Sequence, residues 1–182
     1  MSAEKARRVA APPRPRSRTR DLRFSARVRA KPGQVYHALT SARELCRWWL
    51  TGAETDARNS GRLRMVWPKR PGCRGVFGER EGCFVDLEPE RKVAWMWRSN
   101  RRRNHVPPLC SFFILPKRGG CEITLLHAGF PRCRAADRVY ACFAQGWEDA
   151  LAKLKLYLET GRTCKHEVLT LAGLRLLLKP RK

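Results

Sequence analysis

The stretch from Tyr140 to Leu158, YACFAQGWEDALAKLKLYL, sets the tightest limit on what this chain can become. Tyr140, Phe143, Trp147, Leu151, Leu154 and Leu158 recur at spacings of three and four, the period that puts them on one face of an α-helix. Glu148, Asp149, Lys153, Lys155 and Glu159 mostly fall away from that face. A stripe this wide and this aromatic needs a broad apolar partner, which the rest of the chain can supply as a sheet. Such a stripe either fills a core or walls a cofactor or ligand cleft.

The alternation upstream provides that sheet. Leu22, Phe24, Ala26, Val28 and Ala30 alternate with Arg23, Ser25, Arg27 and Arg29, the pattern of a half-buried strand over 21–30. Pro32 suits the first turn of a helix, where its missing N–H costs little, and Val35, Ala38 and Leu39 form that helix's apolar face. Ser41 and Glu44 read as a capping box that opens a second short helix carrying Leu45, Trp48 and Trp49. Strands are then expected over 61–67, 76–87, 92–98, 111–115 and 122–127, with Pro89 at one turn and Gly119-Gly120 in a tight hairpin. The order predicts one α+β domain over 21–161: a curved antiparallel β-sheet wrapped around a long C-terminal α-helix, with two short helices after strand one.

Both ends differ in composition. Residues 1–20 carry seven Lys and Arg against Glu4 alone, with Pro12, Pro13 and Pro15, and read as a disordered basic tail. Beyond Gly161, a helix stop, residues 162–182 form an extension in which Val168, Leu169, Leu171, Leu174 and Leu176–Leu178 precede Lys179, Arg181 and Lys182. It either docks on its own domain or offers a basic, apolar segment to an anionic surface.

Net charge is +23, which favours anionic partners: nucleic acid through the tail, an acidic protein, or anionic lipid. The eight cysteines, at 46, 73, 83, 110, 121, 133, 142 and 164, form no CxxC pair and have no histidine at zinc-finger spacing, so no metal site is expected. The charged, proline-rich N-terminus does not resemble a signal peptide, so the expectation is a cytoplasmic, reducing setting with most cysteines acting as small buried hydrophobes. No apolar run approaches the roughly 18 residues needed to span a membrane.

Strand parity nominates an interior site. Met65, Trp67, Trp95, Trp97, Ile123, Leu125 and His127 share the face expected to meet Tyr140, Phe143 and Trp147 of the helix. They either fill the interior or wall a ligand cavity. His127 is the one candidate for a polar contact or general base, with Asp137 and Glu148 as conceivable neighbours. No nucleophile, base and orienter spacing is readable, nor any phosphate loop, so no catalytic residue and no cofactor is assigned. Successive hairpins would gather the loops at 68–75, 99–109 and 128–137 at one end of the sheet. That end would carry a basic rim of Lys69, Arg70, Arg74, Arg101, Arg102, Arg103, Arg132 and Arg134 for an anionic partner.

The landmarks together resemble a known family. They are Val35-Tyr36-His37-Ala38-Leu39, Arg47-Trp48-Trp49, Gly61 with Met65, Asp86-Leu87-Glu88-Pro89, Val93-Ala94-Trp95-Met96-Trp97, Thr124 to Phe130, and Gly146-Trp147 with Leu151, Leu154 and Tyr157-Leu158. Across about residues 21–160 the chain resembles the START-like (SRPBCC, helix-grip) superfamily, and within it the family of the activator of heat-shock-protein-90 ATPase, C-terminal-domain-like. The resemblance implies a cavity between sheet and helix that holds an apolar or amphipathic small molecule, without assigned catalysis. It leaves open a chaperone-cofactor type of protein-interaction module and a polyketide cyclase or hydrolase kind of enzyme. Nucleic-acid association through the tail stands beside these on charge alone.

Overall fold

In the computed structural model, which describes residues 18–69, 73, 77–98 and 106–178, the alternating segments form one seven-stranded sheet. The strands are β1 (Thr19–Val28), β2 (Gly52–Thr55), β3 (Arg62–Val66), β4 (Glu79–Glu88), β5 (Lys92–Trp97), β6 (Leu109–Lys117) and β7 (Gly120–Pro131). The helices are α1 (Pro32–Thr40), α2 (Ala42–Trp48), α3 (Arg134–Thr160) and α4 (Leu171–Leu177). Every neighbouring pair in the order β1-β7-β6-β5-β4-β3-β2 is antiparallel, and the sheet curves around α3.

Three differences from the sequence expectation have physical causes. Strand β2 is absent from it, because Gly-Ala-Glu-Thr is too short and too polar to show alternation. Strand β1 begins at Thr19, held by pairing to Pro131 on β7. Helix α3 starts six residues before the aromatic stripe, at Arg134, and ends where Gly161 takes a left-handed φ of 70°. The capping box is half formed. Ser41 Oγ accepts from the Glu44 N–H, while the Glu44 carboxylate is engaged by Arg47 and by the Tyr157 hydroxyl of α3.

The C-terminal extension docks on its own domain. Leu174 of α4 is buried against Ala152 and Leu156 of α3. This covers the back of α3, where Asp149 and Lys153, off the aromatic stripe, are nevertheless buried. They form a buried ion pair at 2.9 Å. Its remaining capacity is filled by the extension, with Leu169 N–H donating to Asp149 Oδ1 and Lys153 Nζ donating to the Lys165 carbonyl. Removing either partner would leave a buried charge without its counterion. Residues 179–182 lie outside the described residues.

The cysteines also need correction. Four of the eight are buried, and two of those, Cys73 and Cys142, are joined in a disulfide that ties the segment after β3 to α3. Cys46, Cys83 and Cys164 are half-buried and Cys133 is exposed. Spacing could not reveal the pair, since 69 residues separate its members. Among the described residues no helix is long and apolar enough to cross a membrane, and no cluster of His, Cys, Asp or Glu could hold a metal ion.

Candidate functional site: an aromatic chamber between sheet and helix

Period-two alternation brings Met65, Trp67, Trp95, Trp97, Ile123, Leu125 and His127 to the inner face, where all are buried. Phe143 and Trp147, one turn apart on α3, meet them there. The rings form a continuous set. Trp97 lies edge-on to Trp67 and Trp95 at 5.6 and 5.7 Å, Trp67 to Trp49 at 5.6 Å, and Trp147 contacts Trp49 and Phe112 at 5.8 and 6.0 Å. Such contacts contribute about 0.5–1.5 kcal/mol each beyond simple burial.

At the centre lies a cavity of about 10 Å³, lined by Trp49, Trp67, Phe77, Arg80, Trp97, Phe143, Gly146 and Trp147. That volume is about one water's worth, so the side chains nearly fill the space that the fold encloses. Met65, Trp95, Leu125 and His127 back the chamber and do not line it. Tyr140 lies elsewhere, at the seam of β1 and α3. Its ring packs on Phe130 beneath the Arg20 guanidinium, and its hydroxyl donates to the Asp21 carbonyl.

Four lining residues, Trp49, Phe77, Arg80 and Gly146, escaped the sequence reading of the cavity. Trp49 comes from the end of α2, where helix and loop leave no parity to read. Phe77 rests on Gly146, where a Cβ would come within 2.7 Å of its ring, so the glycine is what lets this ring close over the helix. Arg80 sits opposite Met65 and shares the inward parity of Phe84, a signal masked by its charge and by Glu79 and Glu81 on either side. It is half-buried, with its guanidinium 5.6 Å from the Phe143 ring centre. Burial lowers its pKa from the ordinary value, but an arginine remains charged.

His127 is fixed as a neutral side chain. Its Nε2–H donates to the Pro107 carbonyl at 2.9 Å and its Nδ1 accepts from the Trp147 indole N–H at 2.9 Å, which sets the tautomer. Burial pushes its pKa down to about 4; the Arg80 charge acts in the same direction and the Pro107 carbonyl opposes it. Both ring nitrogens are committed, so His127 is a structural group and not a base awaiting substrate. Asp137 is engaged by Arg20 instead.

Opposite His127 on β6 is Cys110. Burial pushes its thiol up, against smaller opposing effects from the Trp97 indole N–H, the Arg80 charge and the Trp95 indole N–H. At neutral pH it is an inert thiol.

The ends of β3, β5 and β7 and the start of α3 share one end of the sheet. Of the nominated rim, Lys69, Arg132 and Arg134 are exposed there, with Arg132 Nε donating to the Thr19 carbonyl. Arg70, Arg74, Arg101, Arg102 and Arg103 lie outside the described residues, as does the tail up to residue 17.

A family model described as activator of Hsp90 ATPase homolog 1-like protein matches residues 29–159. Among solved structures, the chain resembles the Aha1 dimer from Colwellia psychrerythraea at 20% identity and TM-score 0.63, covering 78% of this chain and 98% of that one. A protein from Rhodobacter sphaeroides matches at 24% identity and TM-score 0.61, covering 78% of this chain and 93% of that one. CalU16 from Micromonospora echinospora matches at 19% identity and TM-score 0.58, covering 79% and 78% respectively. At these identities the structures share the fold, and a search of curated proteins finds no match.

Proposed function

The chain belongs to the activator of Hsp90 ATPase homolog 1-like family, and we propose that it binds an apolar or amphipathic small molecule between the inner face of the sheet and α3, as a carrier or sensor. One observation supports this reading: between the sheet and α3 a small void remains, walled by the rings of Trp49, Trp67, Phe77, Trp97, Phe143 and Trp147, with Arg80 among its lining residues. The void admits no ligand at rest, so entry requires Phe77 to leave Gly146. Phe77 is only half-buried.

Native mass spectrometry of gently purified protein, with a nuclease-treated control, tests the reading. An apolar adduct that disappears on Trp97→Ala substitution supports it; a clean apo mass after purification, together with failure to take up any amphipathic probe, contradicts it.

A second reading rests on the opposite face of the sheet. Met96 and Leu109, direct cross-strand partners, together with Phe113 and Leu115, are between 40% and 53% exposed and form an apolar stripe. This favours a protein-interaction module, and the Colwellia psychrerythraea structure is itself described as a dimer. Light scattering across a dilution series, with and without Phe113→Ser, checks for self-association through this stripe.

A further inference from the structure

We infer that the outer face of the sheet docks an acidic, amphipathic segment of another protein, with its apolar side chains on Phe113 and Leu115 and its carboxylates on Arg23 and Arg91. The inference rests on the interaction reading of the apolar stripe above and adds the chemistry of the partner. An open groove of about 950 Å³ takes in part of the stripe, lined by Phe113, Leu115 and Leu126 together with Arg23, Arg91 and Lys92. Leu126 lies directly across from Arg23 on β1, and Phe113 directly across from Lys92 on β5. Apolar and cationic side chains therefore interleave along one surface, which suits a partner that carries leucines and carboxylates side by side.

The ion pairs of this face decide the sign of that partner. Glu54 and Glu79 meet Arg64, Glu81 meets Arg98, Asp86 meets Lys92, and Glu122 meets Lys117, so these charges largely offset one another. Among the described residues, Arg23 and Arg91 of the groove enter no ion pair, and neither does Arg62 further along the face. Of the two acids that line the groove, Glu122 is held by Lys117 and Glu88 alone is left. A second copy would bring the same excess of arginine to the stripe, on a molecule whose net charge is also +23. The chain's own first residues are basic too, with Lys5, Arg7, Arg8, Arg14 and Arg16 against Glu4. An anionic bilayer or a nucleic acid presents negative charge everywhere, and the carboxylates spread over this face would repel it. A polypeptide segment places its carboxylates singly, opposite the arginines that have no partner.

Fluorescence anisotropy with two labelled helical peptides of identical leucine pattern separates these cases, one peptide carrying glutamate at its polar positions and the other glutamine. Titrations of the full chain use about 0.15 M salt, where the screening length is about 8 Å. The glutamate peptide is expected to bind about tenfold more tightly than the glutamine peptide. Arg23→Gln combined with Arg91→Gln should weaken it about fivefold, whereas Arg43→Gln combined with Arg175→Gln, the same loss of charge on α2 and α4, should leave it unchanged. Phe113→Ser should weaken both peptides. Equal affinity for the two peptides, with both weakened by Phe113→Ser, overturns the inference but not the interaction reading. So does a doubling of mass in light scattering that Phe113→Ser abolishes, which puts a second copy on the stripe. Equal effects of the two double substitutions also overturn it, assigning the attraction to net charge. Binding of neither peptide, or binding indifferent to Phe113→Ser, in a protein that stays monomeric overturns the inference and the interaction reading together.

Discussion

The two faces of the sheet are made by the same strands, yet they hold the molecule together in different ways. On the outer face Arg64 bridges Glu79 and Glu54 at 2.6 and 2.9 Å, Arg98 reaches Glu81, and Lys117 reaches Glu122, all in contact with water. Exposed pairs of this kind contribute about 0–1 kcal/mol each. On the inner face all six tryptophans are buried, with Arg80 and the hydrogen-bonded His127–Trp147 pair set among them. The stability of the fold and the features of the candidate site are therefore carried by the same residues. A lost function on the inner face means little until stability has been measured beside it.

The sharpest contrast comes from Trp147→Ala. It removes packing against Trp49, Phe112 and Phe143 and leaves His127 Nδ1 without its donor. Urea denaturation should show a loss of about 3–5 kcal/mol. A loss under about 1 kcal/mol would mean that the inner face is far looser than described.

Acid should expose the next effect. The His127 pKa is about 4 in the fold, below its unfolded value of about 6.5. The unfolded chain therefore takes up this proton first as pH falls. The stabilisation is complete above about pH 6.5 and is lost as pH drops through 4, amounting to about 3 kcal/mol across that window. His127→Gln should lower stability at pH 7 and flatten the curve between pH 6.5 and 5, read from urea midpoints at each pH. An unchanged slope would contradict a buried, neutral His127.

A third comparison concerns the covalent tie. Cys142→Ser removes the link between Cys73 and α3 and should cost about 2–4 kcal/mol under oxidising conditions, and nothing under reducing ones, where the unmodified protein already lacks the bond. Calorimetry with and without reductant reads both arms. On the outer face, Phe113→Ser and Arg64→Gln should each change stability by about 1 kcal/mol or less. If either cost as much as Trp147→Ala, the distinction between the faces would collapse.

Alternation and helical period made most of this fold legible. Leu22 to Val28, Trp95 with Trp97, and the stripe from Phe143 to Leu154 announce their faces through period alone. The site was legible where parity ran through apolar residues and illegible where chemistry hid it. Arg80 has inward parity, but a charge flanked by two glutamates reads as surface. Phe77, Trp49 and the Cys73–Cys142 pair depend on segments that return to the helix from outside any strand, so no local pattern marks them. The helical period turns Asp149 and Lys153 away from the apolar stripe but does not show that they are buried, because the extension that covers them lies more than ten residues further along the chain. Volume is beyond sequence altogether: the same residues would line an open cavity or a filled one, and here about 10 Å³ remains.

The most direct test follows the six tryptophan indole N–H signals by nitrogen–proton NMR while phenylnaphthylamine is added. Every one of those indoles is buried, so they report on the interior without contribution from the outer face. Binding between sheet and helix predicts that the Trp97 and Trp147 indole signals shift with ligand while the backbone amides of Phe113 and Leu115 stay in place. Shifts confined to Phe113, Leu115 and their neighbours, with all six indoles unmoved, would contradict the account and move the function to the outer face.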